Sequence, residues 1–466
     1  MVQQHRAEVL VKKEQKIIII GAGPCGLGAA WRLTELGYGS FDLFEQKPYA
    51  GGLAASFVDP QGFTWDIGGH VLFSQYRYVD DLLKMLLDQR LITHERAAWC
   101  FLKGRFVPYP FQFNFRHLDQ SDAERCLAGL RASVRSQGIQ PEHFKDWILE
   151  RMGEGIADLF MLPYNFKVWA HPLEQLSCSW LEERVAIPDL QLIQDNFACE
   201  RDEQAWGPNA AFKYPDSGGS GAVWSALAQK IPPERLHFVR QIRAIDTKGR
   251  SLTLSNGTKI PYDCLISTMP LDLLLEMTGS QDMTRGCGLL HTATHVVGVG
   301  LKGTVPEHLR TKCWIYYPEG DTTFYRVTVL PSYAPGNVPA AGGPFWSLLA
   351  EVSDSLHKTV DPERLAEQVI TGMLRVGLLR DRTEIASLWQ HYEPYGYPVP
   401  GLERDEALGA LESLEELGIY SRGRFGAWKY EAGNQDHALM QGIEVVDRLL
   451  SGTTETTVWH PEQVHR

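Results

Sequence analysis

KIIIIGAGPCG, residues 16–26, decides the fold. Lys16 followed by four isoleucines is a continuous apolar run stopped by glycine, the pattern of a short buried strand. Gly21, Gly23 and Gly26 follow in GxGxxG spacing, and Leu27 to Leu36 reads as an apolar-faced helix. A second strand, Phe41 to Phe44, ends on the acid Glu45, 19 residues past Gly26. Strand, glycine turn, helix, strand and acid in that order form a dinucleotide-binding unit. Gly21 permits the tight turn, Gly23 lets the backbone approach a pyrophosphate, and Gly26 lets helix and strand pack closely. The free N–H groups at the helix start face the phosphates, and Glu45 is placed to accept hydrogen bonds from an adenosine ribose. A chance glycine turn is the plain alternative; the flanking strands and the acid speak against it.

The segment after Glu45 bears on which dinucleotide. Gly51-Gly52-Leu53-Ala54 and Asp66-Ile67-Gly68-Gly69-His70 add two glycine pairs within 25 residues of the acid. A nicotinamide dehydrogenase would continue here with another helix and strand. Extra glycine turns suit FAD, whose length lets the chain pass close to both pyrophosphate and isoalloxazine; ordinary hairpin glycines are the competing reading. Tyr262 to Pro270 reads as a strand returning to the same sheet, as in two-dinucleotide-fold flavoproteins.

The chain of 466 residues is long enough for about three domains of common size. A net charge of −12 excludes nucleic acid or an anionic membrane surface as a general partner, so an anionic small ligand requires locally concentrated arginine. No apolar run approaches the ~20 residues needed to span a bilayer, and residues 1–16 lack an apolar signal core. The eight cysteines are scattered, without metal-ligand spacing, and point to reduced thiols and a cytoplasmic location.

Further along, Val79 to Leu87 reads as a helix and Ala98 to Val107 as short strands about Lys103-Gly104. Residues from Ser121 to about Ile193 read as helical: Ala123 to Gln137, Glu142 to Met152 and Ile156 to Phe160. Residues 219–275 read as helix, hairpin and returning strand, and Thr294 to Glu393 as an antiparallel sheet with a Pro/Gly-rich loop at Gly336 to Gly343. A last helix starts near Asn434. The expected class is α/β: a Rossmann-like FAD-binding domain with an inserted helical domain and an antiparallel β-sheet domain. The expected divisions are 13–104, 214–275 and 416–452 for the first, 113–205 for the helical one that covers the cofactor, and 105–112 with 276–415 for the sheet.

Aromatic and polar groups are dense in Pro163 to Trp169, Trp180 to Arg184, Trp314 to Tyr317, Phe324 to Arg326 with Tyr333, Gly396 to Pro398, and Gly423 to Tyr430. Taken singly, a strand Trp or Tyr is more often core than ligand contact. Together, arginine forks and tyrosine hydroxyls can bind a diphosphate, and flat aromatics can stack on a base or a sugar. A second nucleotide ligand over the flavin would need that inventory. No Ser-His-Asp set and no metal-binding cluster is present.

With these runs the chain resembles the UDP-galactopyranose mutases, of the long eukaryotic type, from Lys16 to about Gly452. The strings that carry the likeness are GGHVLFS (68–74), VPYPFQ (107–112), GIADLFM (155–161), PYNFKVWA (163–170), WGPNA (206–210) and GNQDH (433–437). The resemblance implies an FAD enzyme, active only when reduced, that interconverts UDP-galactopyranose and UDP-galactofuranose with flavin N5 as nucleophile at the anomeric carbon. NADPH or NADH is the implied reductant, a UDP-sugar the implied partner. By matching motif, Arg184 and Arg326 would bind diphosphate and sugar, and Tyr316, Tyr397 and Tyr430 the diphosphate. Phe160, Asn165, Trp169, Tyr109 and Gln112 would hold uridine; Trp314, Asn209 and Phe73 would line the sugar pocket, with Tyr333 close by. His70 would sit beside the flavin, and Arg424, Asn434 and Gln435 would contact the flavin end or the sugar. Gly21, Gly23, Gly26, Glu45, Gly52, Gly68 and Gly69 complete the implied cofactor set.

The sequence departs from the fungal members at a short loop between Tyr333 and Trp346, which leaves the oligomeric state open, and at Gln75 and Ala98, which leaves the reductant open. A mutase of another nucleotide sugar, an amine-oxidase-like flavoenzyme and a flavoprotein kept for binding are the competing readings. Two arginines amid tyrosines speak against an amine substrate.

Overall fold

The computed structural model describes residues 11–135, 140–181, 184–203, 210–279 and 288–464. Strand Ile17–Ile20 lies in the middle of a five-stranded sheet, all parallel, between Phe41–Phe44 and Cys264–Ser267. Leu236–His237 and Ile419–Ser421 form its edges. A central parallel strand is covered on both faces, which is why it is four isoleucines without alternation. Ile17 and Ile19 face a core with Leu27, Leu33, Leu439 and Ile443; Ile18 and Ile20 face Leu252, Leu271, Leu274 and Leu411. Helices Pro24–Glu35 and Gln435–Ser451 cover the first face and touch backbone to backbone. A Cβ on Gly28 would strike the Leu439 carbonyl, and one on Gly442 the carbonyl of Cys25.

A seven-stranded sheet stands beside the first, ordered Ile385–Val399, Leu290–Lys302, Phe345–Asp354, Arg326–Val329, Trp314–Tyr316, Ala98–Leu102, Arg105–Pro108. Its pairs are antiparallel except for Trp314–Tyr316 against Ala98–Leu102. This matches the expected class: a parallel nucleotide-binding sheet with a separate, largely antiparallel one.

Helices Gln120–Arg135, Phe144–Ile156, Leu162–Trp169 and Leu190–Cys199 supply most of a third apolar core, with Phe111, Phe115, Ile148, Phe160 and Trp180 among its residues. The stretch expected as a plain helix over Ile156 to Phe160 instead winds as a π-turn, Ala157–Met161. Pro163, which follows, has no N–H for the carbonyl four residues back, and the turn before it widens. Among the described residues no helix is long and apolar enough to cross a membrane.

Candidate active site

One cleft of about 930 Å³ runs from the parallel sheet to the antiparallel one. Its size is at the upper end of ordinary ligand pockets, ~300–1,000 Å³, and suits a long ligand. Gly21, Gly23 and Gly52 line its floor with Thr268. Gly21 holds φ +98°, and a Cβ there would strike the Thr268 hydroxyl of the returning strand. Gly52 holds φ +53°, and its Cβ would sit 3.1 Å from the Gly23 Cα. Side chains at these positions would collide with the returning strand and with the glycine turn, which only glycine avoids at these φ values. Helix Pro24–Glu35 begins at Gly23 without a side-chain cap, so its first N–H groups remain for phosphate. Gly26 is off the wall; a Cβ there would strike the Gly21 carbonyl, so it keeps the turn tight.

Glu45 is buried at one end of the cleft and accepts from the backbone N–H groups of Ala22 and Lys47, each at 2.7 Å. It therefore braces the glycine turn. Lys47 reaches across to Glu393 of the antiparallel sheet at 2.6 Å, and His391 shares that carboxylate at 2.8 Å.

At the other end, Gly69, His70, Gly423, Arg424, Asn434 and Gln435 line the wall. Asn434 starts helix Gln435–Ser451 without a side-chain cap, with the buried Asp436 carboxylate in the first turn. Gln435 accepts from the Trp224 indole at 2.7 Å and donates to the Val71 carbonyl at 3.3 Å. Glycines, two uncapped helix starts and the buried carboxylate of Glu45 make a set of donors and an acceptor that fits a flavin dinucleotide.

Beyond them stand Phe73, Arg96, Tyr109, Arg184, Trp314, Tyr316, Arg326, Tyr397 and Tyr430. Arg424 donates to the carbonyls of Gly433 at 3.1 Å and Gly396 at 3.4 Å, and lies 5.1 Å and 5.7 Å from the ring centres of Tyr397 and Tyr430. Arg184 donates to the Glu431 carbonyl. Among the described residues neither arginine has a carboxylate salt-bridge partner, so each keeps charge for an anion. Arg326 differs: Glu351, directly opposite in the sheet register, takes its Nε at 2.6 Å and its Nη2 at 2.7 Å. Glu351 also accepts from the Tyr325 hydroxyl at 2.8 Å and the Gly69 N–H at 3.0 Å. Burial pushes this carboxyl up, but Arg326 prevails and holds it below the usual carboxylate range. Burial pushes His70 down to about 4, with Arg424 and Arg326 adding to the effect against the pull of Glu351. Burial pushes the Tyr316 hydroxyl up to about 12, so it is a neutral donor at physiological pH.

Gly68, Gln112, Phe160, Asn165, Trp169 and Tyr333 stand off this cleft's wall. Gly68, at φ +92°, turns the chain against Glu351. Phe160 is stacked between Phe111 and Tyr164, with centroids 4.8 Å and 5.0 Å away. Asn165 donates to the Met161 carbonyl at 2.7 Å, inside the widened turn. Gln112 donates to the Ala186 carbonyl at 2.8 Å, while its Oε1 meets no partner among the described residues. Trp169 packs edge-on against Tyr430 at 4.9 Å, and Tyr333 backs Trp314 at 6.3 Å. These six support the wall from behind, and Asn209 lies outside the described residues.

Glu351, Arg96 and the Lys47–Glu393 pair carry no mark in the sequence runs singled out above. A signal for the first existed: Glu351 is the lone charge within the apolar run Trp346 to Val352, and a charge in a buried strand demands a partner.

Residues 24–450 match the family described as flavin containing amine oxidoreductase. Among solved structures, one of a reduced UDP-galactopyranose mutase is similar at TM-score 0.94 and 46% identity, covering 97% of this chain and 97% of that one. A putrescine oxidase bound to putrescine is similar at TM-score 0.62 and 15% identity, over 94% of this chain and 99% of that one, a likeness of fold alone. The zeta-carotene desaturase of Zea mays is 38% identical over 90 residues, 19% of this chain and 16% of that protein. The matched stretch thus spans about a sixth of that relative's length.

Proposed function

The chain belongs to the UDP-galactopyranose mutase family of flavin-containing amine oxidoreductases, and on that premise we propose that it interconverts UDP-galactopyranose and UDP-galactofuranose with FAD in its reduced form. The observation that carries this reading is the continuity of the cleft: a glycine-lined half opens directly onto an arginine–tyrosine half. Reduced FAD, when bound, would supply the nucleophile for the anomeric carbon. Gly21, Gly23, Gly52 and Glu45 would hold its nucleotide end, and the start of helix Gln435–Ser451 with Arg424 its ring end.

The remaining work falls to this chain's own side chains. Arg184 and Arg326 would hold the diphosphate and stabilise its charge as it leaves the sugar, an electrostatic contribution present before the reaction begins. Tyr316, Tyr397 and Tyr430 would donate neutral hydrogen bonds to the same oxygens and keep UDP in place until it is needed again. Tyr109 would face the uridine from the cleft wall, with Gln112, Phe160, Asn165 and Trp169 behind it. Phe73 and Trp314 would close the sugar pocket on its apolar side. His70, held neutral, can accept or donate one hydrogen bond beside the ring without adding charge.

The test is anaerobic. Protein reduced with dithionite, NADPH or NADH is mixed with UDP-galactofuranose, and the pyranose is followed by chromatography. Conversion only after reduction is expected; equal rates with oxidised and reduced flavin would overturn the reading. Turnover confined to a different UDP-sugar would keep the chemistry and change the substrate.

A further inference from the structure

Glu351 hydrogen-bonds to two parts of the cleft that otherwise meet by packing, the Gly69 turn and the Arg326–Val329 strand. Its side chain is 3% exposed, on the strand next to that of Arg326. Two of its bonds fix the guanidinium, one fixes Tyr325, and one fixes the Gly69 N–H in the turn that carries His70. Tyr325 in turn meets the Tyr397 hydroxyl at 3.2 Å. The turn lies directly on the sheet: a Cβ on Gly69 would come within 2.6 Å of the Thr328 hydroxyl and 3.3 Å of Glu351 Oε1. The carboxylate therefore accepts at both oxygens from three residues on two separate segments, Tyr325 with Arg326 on one and Gly69 on the other. A buried carboxylate satisfied in this way has one orientation, and so do the groups that donate to it.

We propose that Glu351 is a positioning residue that locks the Gly68–His70 turn and Arg326 into one relation, so that the cofactor-side loop and the diphosphate-side arginine act as a unit. It rests on the reading of the cleft as a UDP-sugar site. Arg326, with its charge already matched, then serves as an aimed donor, while Arg184 and Arg424 supply the unmatched positive charge that draws the anion in.

E351Q keeps the side chain's shape and removes its charge; one of its two oxygen acceptors becomes an N–H₂ donor facing other donors. In the FAD-loaded protein it is expected to weaken UDP binding about tenfold or more and to lower turnover at saturating substrate by a similar factor, with FAD retained in full. The deciding measurement is the same change made in R326A. If Glu351 acts through Arg326, E351Q causes no further loss of UDP affinity there, whereas a general packing fault would cost the same in both backgrounds. Parental affinity and rate in E351Q, or an equal loss in both backgrounds, overturns the proposal. Should E351Q fail to retain FAD, E351D, which keeps the charge and shortens the reach, is measured instead: the same losses support the proposal, and parental values overturn it. Failure of both to retain FAD also overturns it, in favour of a folding role. A wild-type protein that binds no UDP would overturn the functional reading itself, which is a separate outcome.

Discussion

Arg326 and His70 show how one cleft sets two side chains in opposite directions. Arg326 is charged and matched; His70 is kept neutral first of all by burial, with the positive charges of Arg424 and Arg326 adding to the effect. Removing the arginine in R326A is expected to weaken UDP binding ~10–100-fold, the ~1.5–3 kcal/mol of hydrogen bonds to a charged group. FAD should stay bound; titration of UDP with the flavin absorbance as an internal count checks both. The histidine makes a prediction about acid. Its imidazole titrates near 6.5 when unfolded and at about 4 when folded, so between these values the unfolded chain holds the extra proton and stability falls as pH falls. In H70N that contribution disappears, and the slope of unfolding free energy between pH 5 and 6 should shrink by ~1 kcal/mol per pH unit. Guanidinium titrations at the two pH values measure it, and an unchanged slope would contradict the assignment. Gly21, Glu45 and the arginine–tyrosine runs were legible in the sequence because each residue type declares its chemistry locally. Glu351 was not, because its meaning lies in the strand across from it and in a turn 282 residues earlier.

Among the elements, the glycine crossing of helices Pro24–Glu35 and Gln435–Ser451 bears most directly on the cofactor. Both helices start at the cleft, and their separation sets how far apart the two uncapped N-termini stand. Gly442→Ala puts a methyl into the Cys25 carbonyl, which only a shift of one helix can relieve. Such overpacking is expected to cost ~1–3 kcal/mol and to loosen FAD at least tenfold, seen as flavin released on gel filtration and a lower melting temperature. Gly28, which meets Leu439 from the other helix, should behave alike. Both helices were legible from their apolar faces and glycine starts. The π-turn Ala157–Met161 was not, since its period differs from an α-helix by too little to show in five residues.

For the molecule as a whole, the cleft lies where two sheets meet and is lined from both. Gly21, Gly52 and Thr268 come from the parallel side, and His391 to Tyr397 from the long strand of the other. FAD touching both would make their unfolding one event. Calorimetry is expected to give a single transition for the loaded protein and an earlier, divided one after FAD removal. Ligand at 100 times its Kd adds ~2.7 kcal/mol, and identical traces with and without FAD would contradict this coupling. The centre of the parallel sheet was legible because Ile17–Ile20, Phe41–Phe44 and Cys264–Ser267 are short, largely apolar and flanked by turns, whereas the edge strands Leu236–His237 and Ile419–Ser421 are too short to declare themselves. The parallel pairing of Ala98–Leu102 with Trp314–Tyr316 was not, as more than 200 intervening residues leave no local trace of it. The connectivity of the first sheet has one more effect. Its central strand at Ile17–Ile20 is joined through Cys264–Ser267 to Ile419–Ser421, and the Val11 N–H meets the Leu449 carbonyl at 2.8 Å. Synthesis reaches the glycine turn long before Gln435–Ser451, the helix that packs over it. The nascent chain therefore carries an open cofactor cradle through the whole interval between them, and flavin capture is expected only once that helix has been made.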